Sequence, residues 1–456
     1  MAYQTINPFN NHVLNSYENI SDNQLGKILA DSHALYLKWR NEPSETRRDT
    51  LHRIATMMRS EKTQLATTVT QEMGKLIGES EAEVELCADI ADYFADHAAE
   101  FLARKPLDTV IGDAYYEKQA LGVLFMVEPW NFPYYQIMRV FAPNFMIGNP
   151  MLLKHASNTP SSAEAFVDII RRAGAPTASL TNLFVDYDQV DKAIADPRVV
   201  GVALTGSERG GASVAKTAGQ NLKKSTMELG GNDPFIVLSD ADMNKVKRVA
   251  PVARLSNAGQ ICAASKRFIV MADKYDEFLT MLKQAFEQVK PGDPMDPATT
   301  LAPLSSAKSK TTLQKQVDAA VDAGATVFYG NHPIDLPGQF FQPTILTDIT
   351  KDNPAYNQEL FGPVASVYKV NSEEEAIALA NDSSYGLGSA IFTEDTKHAD
   401  AVAQQIEAGM TFINRVWATL PELPFGGVKN SGYGREMYEL GFDAFVNEHL
   451  VVNAKD

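Results

Sequence analysis

Between residues 151 and 238, short apolar runs alternate with amphipathic stretches, and this alternation limits the fold more than any other feature of the chain. Segments 151–154, 183–185 and 199–204 read as strands, and 161–173 and 190–195 as helices. Gly206-Ser207-Glu208-Arg209-Gly210-Gly211 opens a further helix, and 234–238 is another strand. Strands alternating with helices of this length build a parallel sheet with helices on both faces. From Ala241 the same grammar returns with different residues: helices at 246–256, 274–289 and 308–323, and strands at 267–270, 341–346, 364–367 and 390–392. A chain of 456 residues exceeds what one hydrophobic core supports. Two α/β units are therefore expected.

The flanks read differently. Residues 20–105 are mainly helical, with Ser21-Asp22 as a cap, one long pattern over 44–73 and another over 80–101. Cys87 sits inside the last pattern as a packing residue. Residues 110–116 read as two short strands about a Gly112-Asp113 turn, and 121–127 as a strand entering Glu128-Pro129-Trp130-Asn131-Phe132-Pro133. Two prolines and an aromatic make that segment a rigid loop. A helix over 134–146 follows, carrying Arg139. The apolar stretch 450–453 has no evident local partner and is expected to extend a sheet in another subunit.

Composition narrows the function classes. A formal charge of −16 disfavours a nucleic-acid groove or an anionic membrane surface. Two cysteines, Cys87 and Cys262, permit at most one disulfide and no cysteine-built zinc site, and suit a reducing compartment. The first residues lack a basic start followed by an apolar run, and no apolar stretch is long enough to span a bilayer. The expectation is a soluble cytoplasmic protein without a metal.

Cys262 stands in Ser256-Asn257-Ala258-Gly259-Gln260-Ile261-Cys262-Ala263-Ala264, among small and amide residues. A thiol on such a turn can face a cleft with backbone N–H groups near the sulfur, which favours thiolate. Glu228, between Met227 and Leu229 and before Gly230-Gly231, has apolar neighbours that would raise its pKa toward that of a general base; an exposed edge glutamate would fit the same pattern. Thr205-Gly206-Ser207 with Gly211 follows a strand directly, and glycines there let backbone approach a phosphate at a helix N-terminus. Glu359-Leu360-Phe361-Gly362-Pro363-Val364 is a second acid in an apolar turn, and residues 424–432 form a glycine-rich loop.

In this order, WNFP, TGS, ELGG, GQICAA, ELFGPV and PFGGVKNSG closely resemble the NAD(P)-dependent aldehyde dehydrogenase superfamily, over nearly the whole chain. The resemblance implies a Rossmann-type cofactor domain (1–108 and 123–233), an α/β catalytic domain (234–432), and a small β oligomerisation element (109–122 and 433–456) that makes a homodimer or homotetramer. It also implies a mechanism. Cys262 attacks an aldehyde as thiolate, the Asn131 amide and the Cys262 N–H hold the oxyanion, and Glu228 activates water against the resulting thioester. Trp130, Lys154, Ser157, Thr205, Gly206, Ser207, Gly211, Glu359 and Phe361 correspond to cofactor-binding positions, with Glu359 gripping the nicotinamide ribose.

Departures from the family pattern refine this. Many NAD-preferring relatives carry an acid where Lys154-His155-Ala156-Ser157 has Ser157; losing that carboxylate while keeping Lys154 favours a 2′-phosphate, hence NADP, with NAD as the alternative. His155 replaces a usual proline, and its role is open between packing and a phosphate-side contact. Arg139 corresponds to an arginine that binds the substrate carboxylate in succinate-semialdehyde dehydrogenases. A second family arginine is Ser256 here, with the Thr419 hydroxyl as compensation. The short chain and the Lys154–Ser157 segment resemble the short bacterial succinate-semialdehyde dehydrogenases. The expected reaction is therefore oxidation of a carboxylate-bearing aldehyde, foremost succinate semialdehyde. The alternatives are an aliphatic aldehyde, a phosphorylated triose, or an idle binding relative.

Overall fold

A computed structural model describes residues 3–454. Its first sheet has six strands in the order Gly432–Tyr433, Lys224–Glu228, Val199–Thr205, Val123–Glu128, Met151–His155, Leu180–Asn182. The last five are mutually parallel, and the short Gly432–Tyr433 strand lies antiparallel at the edge. Numbered along the chain, the parallel strands run 3-2-1-4-5 across the sheet. The order therefore reverses between Val123–Glu128 and Val199–Thr205, and crevices open at the carboxyl ends of strands at such a switch point. The loop Pro129–Pro133 and the turn Thr205-Gly206-Ser207 leave those two strand ends.

A second sheet has seven strands in the order Thr326–Tyr329, Thr344–Thr347, Val364–Val370, Ser265–Met271, Asp233–Val237, Gly388–Phe392, Met410–Ile413, parallel except at the first pair. The largest apolar cluster packs the helices Glu45–Ser60, Ile77–Phe101 and Tyr135–Ile147 behind the first sheet. Cys87 lies inside it, fully buried. Ser21 forms a capping box with Gln24 at the start of Asp22–Trp39, each satisfying the other's backbone N–H.

Four elements differ from the sequence reading. The strand expected at 183–185 is Leu180–Asn182, because Leu183 and Val185 are apolar for burial in the core and not for the ladder. The helical pattern over 44–73 is two helices meeting at Glu61. The hairpin turns at 108–111, where Val110 is wholly exposed, and Gly112 begins the long strand Gly112–Ala120. The carboxyl-terminal strand, Val446–Ala454, pairs antiparallel with Gly112–Ala120 of its own chain along nine residue pairs. That partner lay more than 300 residues away in sequence, out of reach of any local reading. No helix of the described residues is long and apolar enough to cross a membrane.

Candidate active site

Helix Met243–Leu255 ends on a tight turn in which Asn257 (φ 50°), Ala258 (φ 51°) and Gly259 (φ 77°) are all left-handed. Left-handed geometry costs a residue with a side chain about 1–2 kcal/mol, so the turn must be held from outside. Two buried cations do much of this. Arg254 donates to the carbonyls of Gly259 (2.5 Å) and Ser265 (2.9 Å), and Lys266 to those of Ile261 (2.9 Å) and Cys262 (2.5 Å). The Asn257 side chain donates to the Asn131 carbonyl at 3.0 Å, and its backbone N–H to Glu79 Oε1 at 2.8 Å. At Gly259 a β-carbon would lie 2.3 Å from the Gly362 carbonyl oxygen, so only glycine fits.

The turn delivers Cys262 to the junction of two cavities. One, of about 270 Å³, is lined by Trp130, Asn131, Thr205, Ser207, Glu359 and Phe361 among others. The other, of about 260 Å³, has Phe132, Tyr135, Trp417, Thr419 and Phe425 in its wall, together with Lys75 and Glu79. Cys262 and Gln136 line both. Burial pushes the thiol up to about 11, against the lowering effect of Lys266 and Arg139. The small-residue turn alone therefore does not make a thiolate, contrary to expectation. Desolvation outweighs it, and the resting sulfur holds its proton at neutral pH.

The first cavity gathers most of the residues expected for a cofactor. Ser207 caps helix Glu208–Gln220 by accepting from the Gly210 N–H, and this helix start, with Gly206, forms part of the cavity wall. Trp130 and Phe361 meet edge to face at 5.8 Å. Glu359 accepts from the Gly231 N–H at 3.1 Å and from Lys266, also at 3.1 Å. Gly211 does not belong to this group: a β-carbon there would meet Leu229 at 2.6 Å, so the glycine serves close packing of helix on loop. Lys154 and Ser157 sit beyond the cavity, at the carboxyl end of Met151–His155. Of the three buried lysines among the described residues, Lys75 pairs with Glu83 and Lys266 with Glu359. Lys154 has no acid partner among the described residues and stands 5.9 Å from the Tyr3 ring. Burial lowers its pKa to about 8. A buried cation without a counter-ion fits an anionic group such as a 2′-phosphate.

Asn131 is buried, and its Nδ2 donates one hydrogen to the Gln260 carbonyl at 3.1 Å, leaving the second free. Glu228 is buried at the end of Lys224–Glu228, and its carboxylate lies over Gly426, where a β-carbon would fall 2.7 Å from Oε1. It lines neither cavity in this conformation. Burial and the neighbouring Glu436 raise its pKa, as expected for an acid in apolar surroundings.

Arg139 departs most from expectation. Its side chain is fully buried and ion-paired with Glu436, and it also donates to the Tyr135 hydroxyl and to Thr205 Oγ1, both at 3.2 Å. The rings of Tyr135 and Phe425 cover it. Three buried glutamates, Glu128, Glu228 and Glu436, feel its charge. The guanidinium is thus the counter-ion of an internal acid cluster and lines neither cavity. The expected bidentate clamp on a substrate carboxylate is not what it forms. His155 is also settled in its place. It is buried, burial lowers its pKa to about 3, and its ring bonds to the Pro133 carbonyl at 3.2 Å and to Thr159 Oγ1 at 3.1 Å. It pins the Trp130–Asn131 loop to the neighbouring strand, which is a packing role.

The sequence reading did not find Lys266, Arg254, Asn257, Glu436 or Tyr135. Lys266, Arg254 and Asn257 all lie within eight residues of Cys262 and could have been suspected from that alone. Glu436 and Tyr135 come from distant segments and carried no local signal.

Comparison with known proteins agrees with this geometry. A family model described as the aldehyde dehydrogenase family matches residues 1–451. A succinate-semialdehyde dehydrogenase [NADP(+)] of Deinococcus radiodurans is 44% identical over 98% of this chain and 94% of its own, and one of Mycobacterium avium 42% over 99% and 96%. The crystal structure of succinic semialdehyde dehydrogenase from Streptococcus pyogenes in complex with NADP+ is 57% identical, with a TM-score of 0.98 over 99% of this chain and 100% of its own. With six motifs in order, a thiol between two cavities and full-length similarity in sequence and structure, the chain belongs to the aldehyde dehydrogenase family.

Proposed function

We propose that this protein oxidises succinate semialdehyde to succinate with NADP+, through a thiohemiacetal and then a thioester on Cys262. The observation that carries the reading is the single thiol shared by two cavities, one walled by helix start, Trp130, Phe361 and Glu359, the other by aromatics and Thr419. In it Cys262 releases its proton to water and its sulfur attacks the carbonyl carbon. The free N–H of Asn131 and the backbone N–H of Cys262 receive the oxyanion. Bound NADP+ supplies the acceptor for the hydride that leaves that carbon. Glu228, swinging from its place over Gly426, takes a proton from the water that cleaves the remaining thioester. Lys154, the buried cation without an acid, supports NADP+ over NAD+, as do the relatives named for that cofactor.

For the substrate carboxylate, the supporting groups are the hydroxyls of Thr419 and Tyr135 in the cavity wall. Tyr135 accepts from Arg139, so its own hydrogen is free to donate, and Arg139 acts from behind it. Initial rates with succinate semialdehyde and with butanal on Thr419→Val and Tyr135→Phe test this. A loss confined to the semialdehyde upholds it, and equal rates for both aldehydes on the unaltered enzyme overturn it. An apolar aldehyde is the second reading, favoured by the aromatic wall and by Lys75 being already paired with Glu83. A phosphorylated triose fits poorly with a cavity whose lysine is neutralised. We further assign the first sheet to cofactor binding, the second to catalysis, and the three-stranded sheet to homo-oligomer formation in the cytosol. Exposed Val110 and Ile111 in its hairpin turn and Leu450 and Val452 on its edge strand support the last assignment.

A further inference from the structure

Lys266 touches the nucleophile turn and the cofactor-side cavity at once. Its ammonium is buried, donates to the carbonyls of Ile261 and Cys262, and lies 3.1 Å from Glu359 Oε1. Glu359 is shared too, since it also accepts from Gly231 and lines the cavity. The charges acting on the Cys262 sulfur include Lys266 from the strand Ser265–Met271, Arg139 from the helix Tyr135–Ile147, Glu359 from the loop before Val364–Val370, and Glu228 from the first sheet, while Lys75, Glu79 and Glu83 share its cavity wall. Arg139 is neutralised within the protein by Glu436. Lys266 depends instead on an acid that stands in the cavity wall, with buried Asp233 as the other carboxyl in its field.

We propose that Lys266 is a positioning residue whose charge Glu359 switches: paired, it holds the turn while the carboxylate offsets its pull on the sulfur; released when Glu359 turns to the cofactor, it stabilises the thiolate of Cys262 in full. The last step rests on the reading that Glu359 binds the cofactor. The pair itself does not.

The test is the pH profile of Cys262 alkylation by iodoacetamide, read by mass spectrometry of the Cys262 peptide; Cys87 is wholly buried and does not interfere. Without cofactor, Glu359→Gln should move the midpoint down by about one unit, about tenfold in rate below the midpoint. Lys266→Met should move it up by a similar amount, and Lys266→Arg should restore it. The double variant should lose the gain of Glu359→Gln. A structural role alone would change rates without moving the midpoint. The proposal is overturned if Glu359→Gln leaves the midpoint in place, or lowers it equally without Lys266. Should Lys266→Met fail to fold, the Glu359→Gln and Lys266→Arg profiles still decide. Adding NADP+ should shift the unaltered enzyme as Glu359→Gln does and leave that variant unmoved. A shift from the substitution but none from NADP+ overturns the cofactor-driven release and, with it, the ribose reading of Glu359, while the charge pair stands.

Discussion

Two buried cations, Arg139 and Lys154, differ in one respect. Arg139, on the substrate side, lies among Glu128, Glu228 and Glu436 and is ion-paired with the last. Lys154, toward the cofactor side, is nearly as buried and has no acid among the described residues. Removing a charge from water costs several kcal/mol unless something nearby compensates. At Arg139 the compensation is internal, so the guanidinium sustains the acid cluster. At Lys154 it is missing, and burial pulls the ammonium down to about 8. The missing counter-charge, not the residue type, sets Lys154 apart. Arginine is the better carboxylate fork in isolation, yet here it is the lysine that lacks an internal partner.

The largest effect is expected at Arg139. Arg139→Met should leave three glutamates without their cation and cost about 3–5 kcal/mol in a denaturant titration. It should also depress turnover of butanal and succinate semialdehyde together. Loss of the semialdehyde alone, with stability intact, would restore Arg139 as the carboxylate reader. Lys154→Met is the mirror experiment. It should raise the KM for NADP+ about tenfold to a hundredfold, the worth of a charged hydrogen bond of about 1.5–3 kcal/mol. NAD+ should be unaffected and the denaturation midpoint should not fall, since an uncompensated charge is removed.

The two cations also differ in how pH acts on them. Only the ammonium form of Lys154 attracts a phosphate, and its pKa in the free protein is lowered to about 8. Below that pH the cation is present and NADP+ affinity should be flat. Above it, affinity should fall about tenfold per unit up to the ordinary lysine range, whereas NAD+ affinity should not follow. Isothermal titration at pH 7, 8 and 9 separates the two. The smallest effect is expected at Thr419, whose hydroxyl is one of two supports for a carboxylate. Thr419→Val should raise the KM for the semialdehyde by about 1 kcal/mol, near fivefold, without touching butanal.

Much of this was readable along the chain. The alternation after Met151 determined a doubly wound α/β protein, because period and spacing report local geometry directly. The motifs around Asn131, Glu228, Cys262 and Glu359 pointed to the family by resemblance, and the expected chemistry came with that resemblance. The charge state of each group was not readable. Whether Cys262 rests as thiol or thiolate depends on desolvation and on Lys266, Arg139, Glu359 and Glu228, three of them far away in sequence. Gly211 read as a phosphate glycine until Leu229 was seen against it. The terminal strand read as unpartnered until Gly112–Ala120 lay beside it. Sequence by itself determined which reactive groups exist and which elements carry them. Only the tertiary structure decided which of them are neutralised, since electrostatic pairing depends on distance through space and burial, neither of which is written in local order.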